Sequence, residues 1–117
     1  MESAAESTTT SLTYVQKLRM TTPVLAAGDY RIGYSAELAS TDRNGPVHVM
    51  VEIDDTTIVA EAVSPKVQVA SAYVMVSGFA VQTLTAAVHT IDVEYHSADV
   101  ADTAKIRRVR LEIYPVP

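Results

Sequence analysis

Three histidines, a few serines and several paired aspartates are the side chains of this 117-residue chain that could carry chemistry. His48, His89 and His96 would be metal ligands if short spacing, or a nearby thiolate, brought their imidazoles together. They stand at separate strand positions with no short ligand spacing, and the chain contains no cysteine. Surface or cross-strand placement is therefore expected, with no metal and no cofactor. His89, Asp92 and Ser77 supply the groups of a hydrolase triad, in which a carboxylate orients a histidine base that activates a hydroxyl. Ser77-Gly78 lacks the strand-to-helix turn that exposes such a nucleophile, so no catalytic residue is assigned and the chain reads as non-enzymatic. Asp54-Asp55 and the Asp99, Asp102 segment offer carboxylate oxygens to calcium, which wants several ligands converging in one loop. Neither resembles an EF-hand, and turn formation accounts for the aspartates. Glycines at 28, 33, 45 and 78 form no phosphate-cradling motif.

The elements that must position these groups are strands. Ile91, Val93 and Tyr95 alternate with Thr90, Asp92 and Glu94, and a second alternating run extends from Lys105 to Ile113. Period-two patterning of this length marks strands with one buried face. The same pattern predicts strands over residues 14–20, 28–38, 47–53, 57–63, 73–84, 88–96 and 104–114. Turn chemistry separates them: Pro23 and Gly28-Asp29, Asp42-Arg43-Asn44-Gly45-Pro46, Asp54-Asp55-Thr56, Ser64-Pro65 and Ser97-Ala98-Asp99. Such spacing suits a sandwich or barrel, and no stretch carries a helical period. The expected core is Tyr30, Ile32, Tyr34, Leu38, Val47, Val49, Val51, Ile53, Ile91, Val93, Tyr95, Val109, Leu111 and Ile113. Between Ile106 and Val109 the alternation slips by one residue, which predicts a β-bulge aiming Arg107 and Arg108 outward.

Length and composition describe one soluble domain with a single core. A formal net charge of −5 opposes nucleic-acid binding, which needs a basic face. No apolar run reaches the roughly 20 residues of a membrane-spanning helix. Acids in Met1-Glu2-Ser3-Ala4-Ala5-Glu6 replace the bases of a signal peptide, so manufacture in a cytoplasm without Sec-type export is expected. Residues 1–12 are small and polar, and read as an N-terminal arm that a neighbouring chain would order, ahead of a domain over 13–117. Met50 and Met75 sit on strands that are apolar on both faces, a pattern expected of strands covered by another subunit. Lys105, Arg107, Arg108 and Arg110 face Asp92, Glu94 and Glu112 on the closing hairpin, and arginines suit an acidic partner across an interface. The candidate interface is therefore Glu2, Thr8, Thr9, Thr10, Leu12, Met50, Met75, Arg107 and Arg108.

Five segments combine into a resemblance: Tyr14 to Leu18, Thr22 to Tyr34, Val51 to Thr57, Val76-Ser77-Gly78-Phe79 and Leu84 to Tyr95. In this order they resemble the small jelly-roll virion proteins of tailed bacteriophages. That resemblance implies an all-β, antiparallel jelly-roll β-sandwich with an extended N-terminal arm, displayed on the particle as a symmetric oligomer, commonly a trimer. The function expected first is capsid decoration: a cement protein on the outer surface of the head, bound to the major capsid protein and to neighbouring decoration subunits, and stabilising the shell by binding only its assembled form. The alternative is a tail or head-fibre component or adaptor whose jelly roll binds a host glycan. Exposed aromatics in a groove would favour the second. The sequence contains seven aromatics, four of them in core phase, and it lacks the tryptophans that would suit stacking on sugars.

Overall fold

Along Val47–Ile53 every second side chain is a valine or isoleucine, and the chain resolves this conflict with water as such segments do, by pairing into sheets that share one buried face. The computed structural model describes residues 1–42, 45–64 and 70–117. Among these the strands are β1 (Glu2–Ser3), β2 (Ser7–Thr9), β3 (Val15–Thr21), β4 (Gly28–Ser40), β5 (Val47–Ile53), β6 (Thr57–Val63), β7 (Val74–Leu84), β8 (Thr90–Ser97) and β9 (Ala104–Pro115), with no helix. Each strand expected from the alternation is present. The turn signals at 42–46 and 64–65 fall partly on residues outside the described ones.

Pairing runs β1 and β2 on β9, β3 on β8, β4 on β7 and β5 on β6, all antiparallel, so the chain folds over like one long hairpin. Two further pairings, β4 with β9 and β5 with β8, complete the sheets. One sheet reads β1/β2-β9-β4-β7 and the other β3-β8-β5-β6. This is the strand order of a jelly roll, a double Greek key in two layers. The β5–β6 turn is closed by Thr56 N–H donating to the Ile53 carbonyl, 3.1 Å. Asp54 and Asp55 take φ of 54° and 57° there, the left-handed pair of a two-centre hairpin turn that aspartate tolerates.

Between the sheets lies one core. Ile32, Leu38, Val47, Val49, Val51, Ile91, Val93, Ile106, Val109 and Leu111 are at most 2% exposed, and full burial of such a side chain contributes roughly 1.5–3 kcal/mol. Of the expected core only Ile113 is partly open, near the end of β9, and Ala36, Leu84, Ala104 and Ile106 join it. The bulge is present: Ser35 faces Arg110 while Glu37 faces Arg107, so β9 carries one residue more than β4. Arg108 absorbs it with φ of 49°.

Three readings change in the folded chain. Strands β8 and β9, expected to pair as the closing hairpin, lie in different sheets, so Arg107, Arg108 and Arg110 meet Glu37 and Glu2 in place of Asp92 and Glu94. Met50, expected to need cover from a second subunit, is 5% exposed within the single chain. The register sets it between Glu61 of β6 and Glu94 of β8, at a central position that neighbouring strands shield on both sides. The partner that orders residues 1–12 here is the chain's own last strand. Glu2 and Ser3 face Arg110 and Val109, Ser7 to Thr9 face Ile106 to Ala104, and the Met1 ammonium donates to the Leu111 carbonyl at 2.8 Å. Farther along, Lys17 Nζ donates to the Ala5 carbonyl and Ser7 Oγ at 2.6 and 2.8 Å. The segment thus closes the β9 edge, which would otherwise expose unpaired backbone groups.

Candidate functional site

On the outer face of the β1/β2-β9-β4-β7 sheet, alternation sends Arg31, Gly33, Ser35 and Glu37 of β4 away from the core. The register places Phe79 and Glu112 on either side of Gly33, and Ser77 and Arg110 on either side of Ser35. With no side chain at 33 and only a hydroxymethyl at 35, the central strand forms the floor of a hollow between taller neighbours. The hollow measures about 330 Å3, and Arg31, Phe79, Arg110 and Glu112 stand around it. A Cβ built on Gly33 would meet only the Gly78 carbonyl, at 3.9 Å, so the floor is open because of residue choice and not backbone shape. Under the rim, Tyr34 packs beneath Gly78, where an added Cβ would lie 3.1 Å from its ring.

Of the polar groups around this hollow, Arg110 is held by Glu2, while the others are uncommitted among the described residues. Arg31 lies over the Phe79 ring, 4.3 Å from guanidinium carbon to centroid, a cation–π contact that leaves its N–H donors free. Among the described residues neither Arg31 nor Glu112 has an ion-pair partner. The same holds for hydrogen bonds of the Ser35 and Ser77 hydroxyls. Phe79 is 60% exposed and Tyr114, which the register sets beside Arg31, is 52% exposed. An aromatic surface beside convergent donors and acceptors in a concave site is what a small polar ligand with an apolar face requires.

A second hollow of about 360 Å3 shares Ser35 and Arg110 with the first, and Glu2, Met75 and Arg108 line it. Three of the residues singled out in the sequence are thus brought together. Glu2 holds Arg110 through Nε at 2.9 Å and Nη2 at 2.7 Å. Arg107 and Arg108 turn outward as expected, but inside the chain they clamp Glu37, at 2.9 and 3.1 Å. The Arg107 hydrogen bond, with Arg108 alongside, holds the Glu37 carboxyl below its usual range. Arg107 also covers Tyr73, 3.6 Å from the ring centre, and burial together with a hydrogen bond to Glu6 pushes the Tyr73 phenol up to about 12. Met75 is 71% exposed and Leu12 51%, Thr8 and Thr10 are exposed, and Thr9 is half-buried against β9. Met50 faces the opposite side of the sandwich.

The groups that could be assembled into a triad are apart. Asp92, 1% exposed, is held by Arg19 through Nε at 2.7 Å and Nη2 at 2.6 Å, a two-pronged pairing that answers its buried charge. Arg19 also reaches Asp55, so the carboxylate cluster of Glu52, Asp55 and Asp92 contains its own cation. His89 bonds Asp54 Oδ2 at 2.7 Å and the Thr85 carbonyl at 2.9 Å, while Ser77 points out on the other sheet. Asp54 also accepts from the Thr90 N–H at 2.9 Å, so the turn aspartates serve the turn and its neighbours.

The Gly33 hollow was not visible in the sequence because its walls come from three strands far apart in the chain. Gly33 within an otherwise alternating run was the available signal, since a glycine inside a strand often marks close approach of another group.

No protein-family model matches the chain, and no curated protein matches it. Among solved structures it is similar to the C-terminal domain of EclA, described as a sugar-binding protein, with a TM-score of 0.56 and 16% identity over 94% of this chain and 79% of that one. At this identity the likeness establishes the β-sandwich fold.

Proposed function

We propose that this protein is a non-enzymatic binding module that holds a saccharide in the Gly33 hollow. The observation that carries this reading is that Arg31 and Glu112, both without ion-pair partners among the described residues, line one hollow over a glycine floor beside exposed Phe79. A sugar ring offers an apolar face for Phe79 and vicinal hydroxyls that accept from Arg31 and donate to Glu112. The similar EclA domain is described as sugar-binding, which supports the same class of ligand. The phage resemblance supplies the setting: a tail or head-fibre component or adaptor presenting the hollow to a host glycan. A glycan array probed with the intact chain and with Gly33→Val tests the assignment. Binding to defined saccharides that the variant loses is expected; no binding, or equal binding by the variant, overturns it.

A different observation favours capsid decoration as a second reading. Strand β7 is a sheet edge whose outward Met75, Phe79 and Val81 are 71%, 60% and 54% exposed, an apolar stripe that a homotrimer or the major capsid protein would cover. Mass in solution and cryo-electron microscopy of particles mixed with the protein test it: trimers on the outer head lattice are expected, and a monomer absent from heads overturns it.

A further inference from the structure

The second sheet carries a cluster that the function proposed above does not use. His48 of β5 and His96 of β8 are direct cross-strand partners on its outer face. Their rings stack with centroids 4.3 Å apart and planes 8° from parallel, and Tyr14 meets His96 edge-on at 4.5 Å. We propose that His48 and His96 form a two-histidine chelating site for a divalent transition-metal ion of the zinc, nickel and copper class.

His96 Nδ1 lies 2.6 Å from the Ser97 carbonyl. A carbonyl only accepts, so Nδ1 carries the proton and Nε2 of the neutral ring presents its lone pair. This is the arrangement by which a backbone carbonyl fixes the tautomer of a metal-ligating histidine. Among the described residues Nε2 of His96 and both nitrogens of His48 have no hydrogen-bond partner.

The surroundings favour a cation. Glu61 and Glu94 flank Met50 in the next row of the sheet. Arg19 is committed to Asp92 and Asp55, and Lys17 to the N-terminal segment. A pair of imidazoles suits zinc, nickel or copper and not magnesium or calcium, which prefer all-oxygen sites. With metal–nitrogen bonds of about 2.0–2.1 Å, the rings must turn out of their stacked arrangement so that both in-plane lone pairs converge on one ion.

The test uses the tag-free full chain. Thermal melts with ZnCl2, NiCl2 and MgCl2 are expected to show a Tm that rises with zinc and nickel and stays fixed with magnesium. His48→Gln and His96→Gln should each weaken zinc affinity, read by calorimetry, at least tenfold. Trace Cu2+ added to the unmodified protein reports without any substitution: the ring protons of His48 and His96 should broaden first in NMR spectra, while those of His89, whose nitrogens are both engaged, stay sharp. No response to zinc, an equal response to magnesium, variants that keep their affinity, or broadening first at His89 or at the Glu52, Asp55, Asp92 cluster would each overturn the site.

Discussion

The Arg31 guanidinium lies 4.3 Å above the centroid of the Phe79 ring, and together they form one wall of a hollow whose opposite wall is Glu112. Side chains this exposed on adjacent strands normally find partners of opposite charge, as Arg110 does with Glu2 and Arg107 with Glu37. Arg31 has an aromatic face in place of a carboxylate, which leaves its donors available. The pair prepares a surface in advance of a ligand, which lowers the ordering cost of binding.

Removing either member should therefore cost binding without costing the fold. Phe79→Ala and Arg31→Ala are each expected to weaken saccharide affinity at least tenfold, about 1.4 kcal/mol. Phe79 is 60% exposed, so its loss should change unfolding stability by no more than about 0.5 kcal/mol. Calorimetric titration beside urea denaturation separates the two effects.

Filling the floor should act in the opposite sense on stability. Gly33 has room for a Cβ, and glycine inside a strand costs roughly 0.5–1 kcal/mol relative to alanine. Gly33→Val is expected to raise the denaturation midpoint slightly while abolishing ligand binding, a combination that general misfolding cannot produce.

Strand positions and core phases were legible because alternation is local: Ile91, Val93 and Tyr95 declare their face within six residues, and the slip around Arg107-Arg108 declares its bulge. Pairing between distant strands was not. His48 and His96 look unrelated at a separation of 48 positions until β5 and β8 are set in register, and Gly33 shows its hollow only once Phe79 and Glu112 stand beside it. Met50 shows the other limit, since alternation assigns it to the outer face but cannot show that its own neighbours bury it. The polar composition of residues 1–12 points to an arm that a neighbouring chain would order. Backbone pairing with β9 asks little of side chains, so composition carries no trace of it.

Stability should depend on pH through His89. Its hydrogen bond to the Thr85 carbonyl, and next that to Asp54, raise its pKa, with burial opposing. A raised histidine stabilises fully below its unfolded value, about 6.5, and that contribution is lost as pH rises through the higher folded value. Burial would raise the Asp54 carboxyl, yet the His89 and Thr90 hydrogen bonds outweigh it and leave it lowered. Its contribution is present above its unfolded value, about 3.9, and is lost as pH falls through the folded one. The pair is at full strength from about pH 4 to 6.5, so Tm should fall on the alkaline side, and His89→Gln should flatten that fall in melts between pH 5 and 9.

Arg108 occupies the left-handed region with φ of 49°, where a β-branched side chain costs about 1–2 kcal/mol. Arg108→Val should destabilise by about that amount relative to Arg108→Gly, read as the difference in urea midpoints. Equal midpoints would mean that β9 can run without its bulge.

Saccharide recognition at Gly33 is tested most directly by 15N–1H correlation spectra of the intact chain titrated with a panel of neutral and acidic saccharides. At least one saccharide is expected to shift the amides of Gly33, Ser35, Phe79 and Glu112 in a saturable manner and to leave β5 and β8 unmoved. No saturable shift across the panel, or shifts confined to the β3-β8-β5-β6 face, would contradict it.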